Sequence, residues 1–252
     1  MERLGMTNLI IANQQNGKSI VVQKRSIQQT CSTVGEVIAM VGDQRLVSYP
    51  ELALHNFYAD PSGNAVIMEA GETANVLTQI DGPFMVMTNF QNGDFQDAAP
   101  SDLYGDGAGR YRTAHAAISS YLDSSDTFDV EQAFDVLQRA ATPTGTYKTR
   151  YSLVLDPESL EIYIALERDY DHIWKVSLVD RTIETYAGFA QNTVLPLGDD
   201  GITGPTLQVY ATSAMSDSVQ VDDPTPALPL VEWSGIIALA LILCLAVVCL
   251  LR

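Results

Sequence analysis

A chain of 252 residues, 46% of them hydrophobic, is long enough to bury the core of one sizeable domain with appendages. Its 31 Asp and Glu outweigh 14 Lys and Arg, a formal net charge of −17, which excludes a nucleic-acid partner because a phosphate backbone needs a basic face. The three cysteines, Cys31, Cys244 and Cys249, form no disulfide framework, and no Cys or His spacing suits zinc, so neither a metal nor another cofactor is expected.

In chain order, residues 1–12 read as a β-strand; a basic stretch followed by an apolar one is lacking, so they are not a signal peptide. Residues 28–41 read as a helix, with Thr33-Val34-Gly35-Glu36 as a capping box ahead of Val37, Ile38, Met40 and Val41. Cys31 precedes that cap. A thiol nucleophile needs an activating base or a depressed pKa, and no adjacent residue provides one, so Cys31 reads as structural. Residues 55–59 and 65–69 form a hairpin about the turn Pro61-Ser62-Gly63-Asn64, with His55 a half-buried strand residue. Residues 74–80 and 84–87 continue it as an antiparallel meander.

The last of these runs, Phe84-Met85-Val86-Met87, stops at Thr88-Asn89. A loop follows that is rich in Gly and Asp, and Arg110-Tyr111-Arg112 then opens a helical pattern. An uncharged amide at a strand end, followed by a guanidinium at the start of the next element, suits acyl transfer. The amide can donate to a developing oxyanion, and the guanidinium can order a neighbouring nucleophile. The plainer alternative is a strand, a surface loop and a solvated arginine. Asp94, Asp97, Asp102 and Asp106 lack EF-hand spacing and read as solvated.

Ala114, Ala117, Ile118, Tyr121 and Leu122 recur at helical spacing, with His115 exposed or at the core edge. Asp129 caps a second helix over residues 130–140, which Pro143 and Gly145 end. Gly145 and Lys148 lack the spacing of a phosphate-binding loop. Residues 151–155 and 160–166 form a hairpin, joined by strands over 173–178 and 182–186. The pattern is α+β and mostly antiparallel. Residues 188–212 read as irregular or edge strands, and residues 213–229 as an extended linker rich in Ser, Asp and Pro.

Residues 234–251 carry no charge, with Trp233 before Ser234 and Arg252 after Leu251. That run meets the length of about 18–20 residues for a membrane-spanning helix; a buried globular helix is the alternative. The division expected is a main domain over residues 1–212, a linker over 213–230 and an anchor over 231–252. The lipid bilayer is then a partner, and the main domain is extracytoplasmic with Arg252 in the cytoplasm.

Met85-Val86-Met87-Thr88-Asn89, Gly105-Asp106 and Gly109-Arg110-Tyr111 resemble the second half of the choloylglycine hydrolase and penicillin V acylase family. These are N-terminal-nucleophile (Ntn) amide hydrolases, related to N-acylethanolamine acid amidase and acid ceramidase. CSTVGEVIAM (31–40), HNFYADPSGNAVIMEAG (55–71) and TPTGTYKTRYSLVLDPESLEIYIALE (142–167) are similar to further segments of the family. MERLGMTNLI (1–10) looks like a degraded copy of its inner hairpin strand, so the resemblance spans residues 1–187.

The resemblance implies the αββα four-layer sandwich of Ntn hydrolases, here partial, followed by the transmembrane helix. It implies hydrolysis of a linear, non-peptide amide by an N-terminal Cys thiolate whose own α-amino group is the base. Asn89 would hold the oxyanion and Arg110 would support the nucleophile. Gly109 stands where the family has Ser and the loop before it is shorter, so Arg112 stays a candidate for the same role. Cys31 matches a structural cysteine. Ile10 stands where the family places Asn or Tyr beside the acyl pocket, so bile salts, penicillins, acyl-ethanolamines and acyl-homoserine lactones all remain open. Met1 falls inside the family pattern, which implies that the nucleophilic Cys and a signal peptide precede it and that this chain alone is inert. The rival class is a non-catalytic, membrane-tethered binding or scaffold domain.

Overall fold

The computed structural model describes residues 18–42, 44–47, 54–71, 73–95, 98–125, 127–146, 148–198, 237–239 and 246–248. Two helices stand where one was expected over residues 28–41: α1 (Ile20–Thr30) and α2 (Val34–Gly42). The capping box makes the break. Thr33 Oγ1 accepts from the Glu36 N–H at 3.2 Å, and Glu36 Oε2 accepts from the Thr33 N–H at 3.2 Å, so a new helix starts at Val34. Cys31 lies in the junction, packed with Ile20, Ile27, Val34, Val37 and Val41 against Tyr58, Val66 and Met68 of the neighbouring sheet.

That sheet is built on β3 (His55–Ala59), β4 (Ala65–Ala70) and β5 (Asn75–Gln79), all antiparallel. Alternation along the strands separates two clusters: Tyr58, Val66 and Met68 meet the helices, while Phe57, Ala59, Ala65 and Ile67 pack with Met87 on the other face. The β3–β4 turn is organised by Asp60, which is 1% exposed. Its Oδ1 accepts from the N–H groups of Ser62 and Asn64 at 3.0 and 3.2 Å, and its Oδ2 from the Val34 N–H at 2.9 Å. One buried carboxylate thus closes a hairpin and caps α2, which ties the length of the turn to the packing of the helix. Two short strands, β1 (Lys18–Ser19) and β2 (Leu46–Val47), pair in parallel, and β6 (Met85–Met87) follows β5.

After β6 come two single 3₁₀ turns, Asn92–Phe95 and Pro100–Asp102, and then α3 (Ala108–Ser124) and α4 (Val130–Ala140). Asp129 caps α4 as expected, in a reciprocal box with Gln132. The second half forms a five-stranded antiparallel sheet in the order β11-β10-β9-β8-β7. Its strands are β7 (Tyr151–Asp156), β8 (Glu161–Leu166), β9 (Ile173–Ser177), β10 (Thr182–Ala187) and β11 (Val194–Pro196). Ile164, Trp174, Val176 and Ile183 make the core on one of its faces. The chain divides into two compact units, residues 1–147 with 232–252, and residues 148–231.

The expected architecture is corrected at the C-terminus. Two pieces of the apolar run over residues 234–251 are strands, β12 (Ile237–Leu239) and β13 (Ala246–Val248). β12 pairs with β3, placing Ile237 opposite Ala59 and Leu239 opposite Phe57; β13 pairs with β6, placing Ala246 opposite Met87. No helix among the described residues is long and apolar enough to cross a membrane. The physical reason is that an apolar run can satisfy its backbone by pairing as readily as by coiling, and β3 and β6 offer open edges. Among the described residues the structure is therefore α+β, with four α-helices, two larger antiparallel sheets of five and four strands and two short strand pairs, in place of a four-layer sandwich completed by a membrane helix. Residues 1–12, the linker over 213–229 and the rest of the apolar run lie outside the described residues.

Candidate functional site

β6 ends because its next residue turns to side-chain chemistry: Thr88, 3% exposed, donates its hydroxyl to the Gly107 carbonyl at 3.2 Å. Gly107 is the residue before α3, at φ 87°, a left-handed conformation that favours glycine. A Cβ there would lie 2.8 Å from the Asn89 nitrogen and 2.9 Å from Thr88 Oγ1. The missing side chain lets the start of α3 close directly onto the end of β6.

That closure brings two residues together across 21 positions of sequence: the Arg110 guanidinium donates through Nη2 to Asn89 Oδ1 at 2.6 Å. Asp106, one helical turn back, approaches the same Nη2 only to 3.9 Å and is 83% exposed, so it competes weakly for the guanidinium. Arg110 is itself 23% exposed in its side chain. Since guanidinium can only donate, the bond fixes the Asn89 amide with its oxygen towards Arg110 and its Nδ2 turned away. Nδ2 has no hydrogen-bond partner among the described residues. A charge-assisted bond to the amide oxygen also polarises the amide, making its free N–H a better donor. Arg112, the alternative to Arg110, is exposed and donates to the Leu103 carbonyl at 2.8 Å, holding the loop before the helix. The pair therefore involves Arg110 and not Arg112.

The loop leaving Asn89 is held by a residue to which the sequence reading gave no role. Glu69, at the end of β4 and 1% exposed, accepts from the backbone N–H groups of Asn92 at 2.7 Å and Gly93 at 2.8 Å. His55 Nδ1 lies 3.3 Å from the same carboxylate, opposite Glu69 in the β3–β4 register. No local signal in the sequence shows it, since Glu69 and Asn92 are 23 positions apart with β5 and β6 between them. His55 is thus a partner in this loop anchor and more than a half-buried strand residue.

Cys31 is 1% exposed, and burial pushes its thiol above the ordinary range. It contacts Thr30 Oγ1 and Met40 Sδ, each at 3.9 Å, and no base is seen bonded to it among the described residues. Cys244 and Cys249 lie outside the described residues. Asp94, Asp102 and Asp106 are exposed as expected, and no group of acidic, Cys or His side chains that could hold a metal ion occurs among the described residues.

Between β6, the loop and α3 lies a cavity of about 370 Å³ whose lining includes Phe90, Asn92, Tyr111 and His115 but neither Asn89 nor Arg110. Burial holds His115 below its ordinary pKa and lifts Tyr111 above its own, so both are neutral near pH 7. The chain matches no protein-family model, no curated protein and no solved structure.

Proposed function

We propose that residues around Asn89 form the oxyanion-binding part of a site that hydrolyses linear, non-peptide amides. The observation that carries this reading is the 2.6 Å bond from Arg110 to Asn89 Oδ1, which leaves a polarised N–H donor aimed away from the arginine. In the reaction a cysteine thiolate, which the resemblance implies and the buried Cys31 does not supply, adds to the amide carbonyl carbon, and the C=O electron pair moves onto oxygen. That oxygen accepts from Asn89 Nδ2 while the tetrahedral species lasts. The C–N bond then breaks, the amine leaves with a proton from the base, and water hydrolyses the thioester. Arg110 acts through Asn89 as a positioning residue. The resemblance to the Ntn amide hydrolases supports the same assignment of both residues.

The second reading, a non-catalytic binding domain, is favoured by Cys31, the free thiol of the described residues, which is buried as a core filler. Amine release separates the two. The full gene product is incubated with a glycine-conjugated bile salt, penicillin V, an acyl-ethanolamine and an acyl-homoserine lactone. Release of amine from at least one, with an acyl-enzyme detectable by mass spectrometry, is expected. A folded product that releases amine from none of them leaves the binding reading in front.

A further inference from the structure

The cavity beside α3 carries a second inference, which is independent of the amidase reading. Five rings follow one another along its wall. Phe95 meets Phe90 with centroids 5.3 Å apart, Phe90 meets Tyr111 at 5.4 Å, Tyr111 stacks on His115 at 5.9 Å, and His115 meets Phe84 edge-on at 5.0 Å. Edge-to-face arrays of this kind accept a further ring at the same spacings.

Among the described residues that line the cavity, Asn92 has a buried polar group without a partner. Asn92 is 9% exposed, and its Nδ2 is buried with no hydrogen bond, while its backbone N–H is already taken by Glu69. A buried amide donor left unpaired is costly, and a ligand acceptor would relieve it. The charges of the lining are one-sided. No Lys or Arg lines the cavity among the described residues, His115 is neutral, and Asp81 at the exposed rim is a carboxylate. An anion would meet no counter-charge there. A cation would meet the ring faces and Asp81 but would leave the Asn92 donor unpaired.

We propose that this cavity binds an uncharged planar aromatic molecule bearing a carbonyl group, its ring set against the aromatic wall and its carbonyl oxygen accepting from Asn92 Nδ2. The recognition is by ring geometry and one buried donor, in a cavity of the size that holds small molecules.

Saturation-transfer NMR on the full chain, with acetophenone, ethylbenzene, benzoate and benzyltrimethylammonium as probes, tests it. Acetophenone should bind about tenfold more tightly than ethylbenzene, which has the same shape without the acceptor, and more tightly than either ion. Asn92→Leu should abolish the preference for acetophenone over ethylbenzene while retaining ethylbenzene binding. Should that variant fail to fold, the wild-type preference decides alone. Equal binding of acetophenone and ethylbenzene, tighter binding of either ion, absence of acetophenone binding, or an unchanged preference in folded Asn92→Leu would each overturn the proposal.

Discussion

On the proposed amidase reading, Asn89→Ala is expected to lower kcat for amide hydrolysis by about 10²–10³-fold, with little change in KM or thermal stability. The argument starts from where Asn89 sits. It follows a strand whose end is secured by Thr88 and Gly107, and its one described side-chain bond is to Arg110. Removing the amide therefore takes away no structural tie except that bond, and Arg110 retains solvent and Asp106. What is lost is the free Nδ2 donor. A donor that strengthens its bond as negative charge develops stabilises the transition state more than the bound substrate, so kcat falls and KM stays. Asn89→Asp should be as damaging, because a carboxylate offers no donor and places negative charge beside the oxyanion. Activity assays with thermal melts check both; a loss that appears in KM or in stability would make Asn89 a binding or structural residue.

Glu69→Ala should destabilise the fold by about 3 kcal/mol while leaving the apolar core intact. The carboxylate is buried and engages two backbone N–H groups with bonds of 2.7 and 2.8 Å. Alanine would strand both donors where water enters poorly, at about 1–3 kcal/mol each, less whatever the loop recovers by loosening. Glu69→Gln keeps one acceptor oxygen and turns an amide towards the other N–H, so about half the loss is expected. Urea unfolding measures both. Because the released segment carries Asn92 and adjoins Phe90 and Phe95, Glu69→Ala should also weaken acetophenone binding. A loss below about 1 kcal/mol with Glu69→Ala would show that the loop stands without its anchor.

The parts of this fold that could be read from sequence are those in which neighbouring residues decide the outcome. Asp129 and Gln132 satisfy each other's backbone within one helical turn, and the start of α4 follows from them alone. The Pro61-Ser62-Gly63-Asn64 turn is set by Asp60 immediately before it. Where distant contacts decide, the reading departed from the structure. α1 begins with Ile20-Val21-Val22 and continues through a polar stretch, a composition with no clear helical period, and its Ile20 and Ile27 are placed by burial against β-strand residues. The apolar run at the C-terminus has a composition that suits helix and strand alike, and the edges of β3 and β6 are what it pairs with.

The candidate site divides in the same way. Asn89 and Arg110 were marked by their residue types and by resemblance to a family motif, but no spacing announces a contact between them across a loop containing two 3₁₀ turns. Gly107 makes that contact geometrically possible, and its role is visible only once β6 and α3 are placed together. Of the two arginines, Arg112 differs from Arg110 by two positions on the helix, which is enough to turn it to Leu103 instead.

The central claim is that Arg110 acts by holding the Asn89 amide with its Nδ2 outward. A double-mutant cycle on kcat tests it most directly, comparing Asn89→Ala, Arg110→Ala and the double variant with the unmodified enzyme. If Arg110 works through Asn89, removing the arginine from an enzyme already lacking the amide should change little. The double variant should then lose no more than about threefold beyond Asn89→Ala. Losses that multiply, with Arg110→Ala as costly in the Asn89→Ala background as in the unmodified enzyme, would contradict the account.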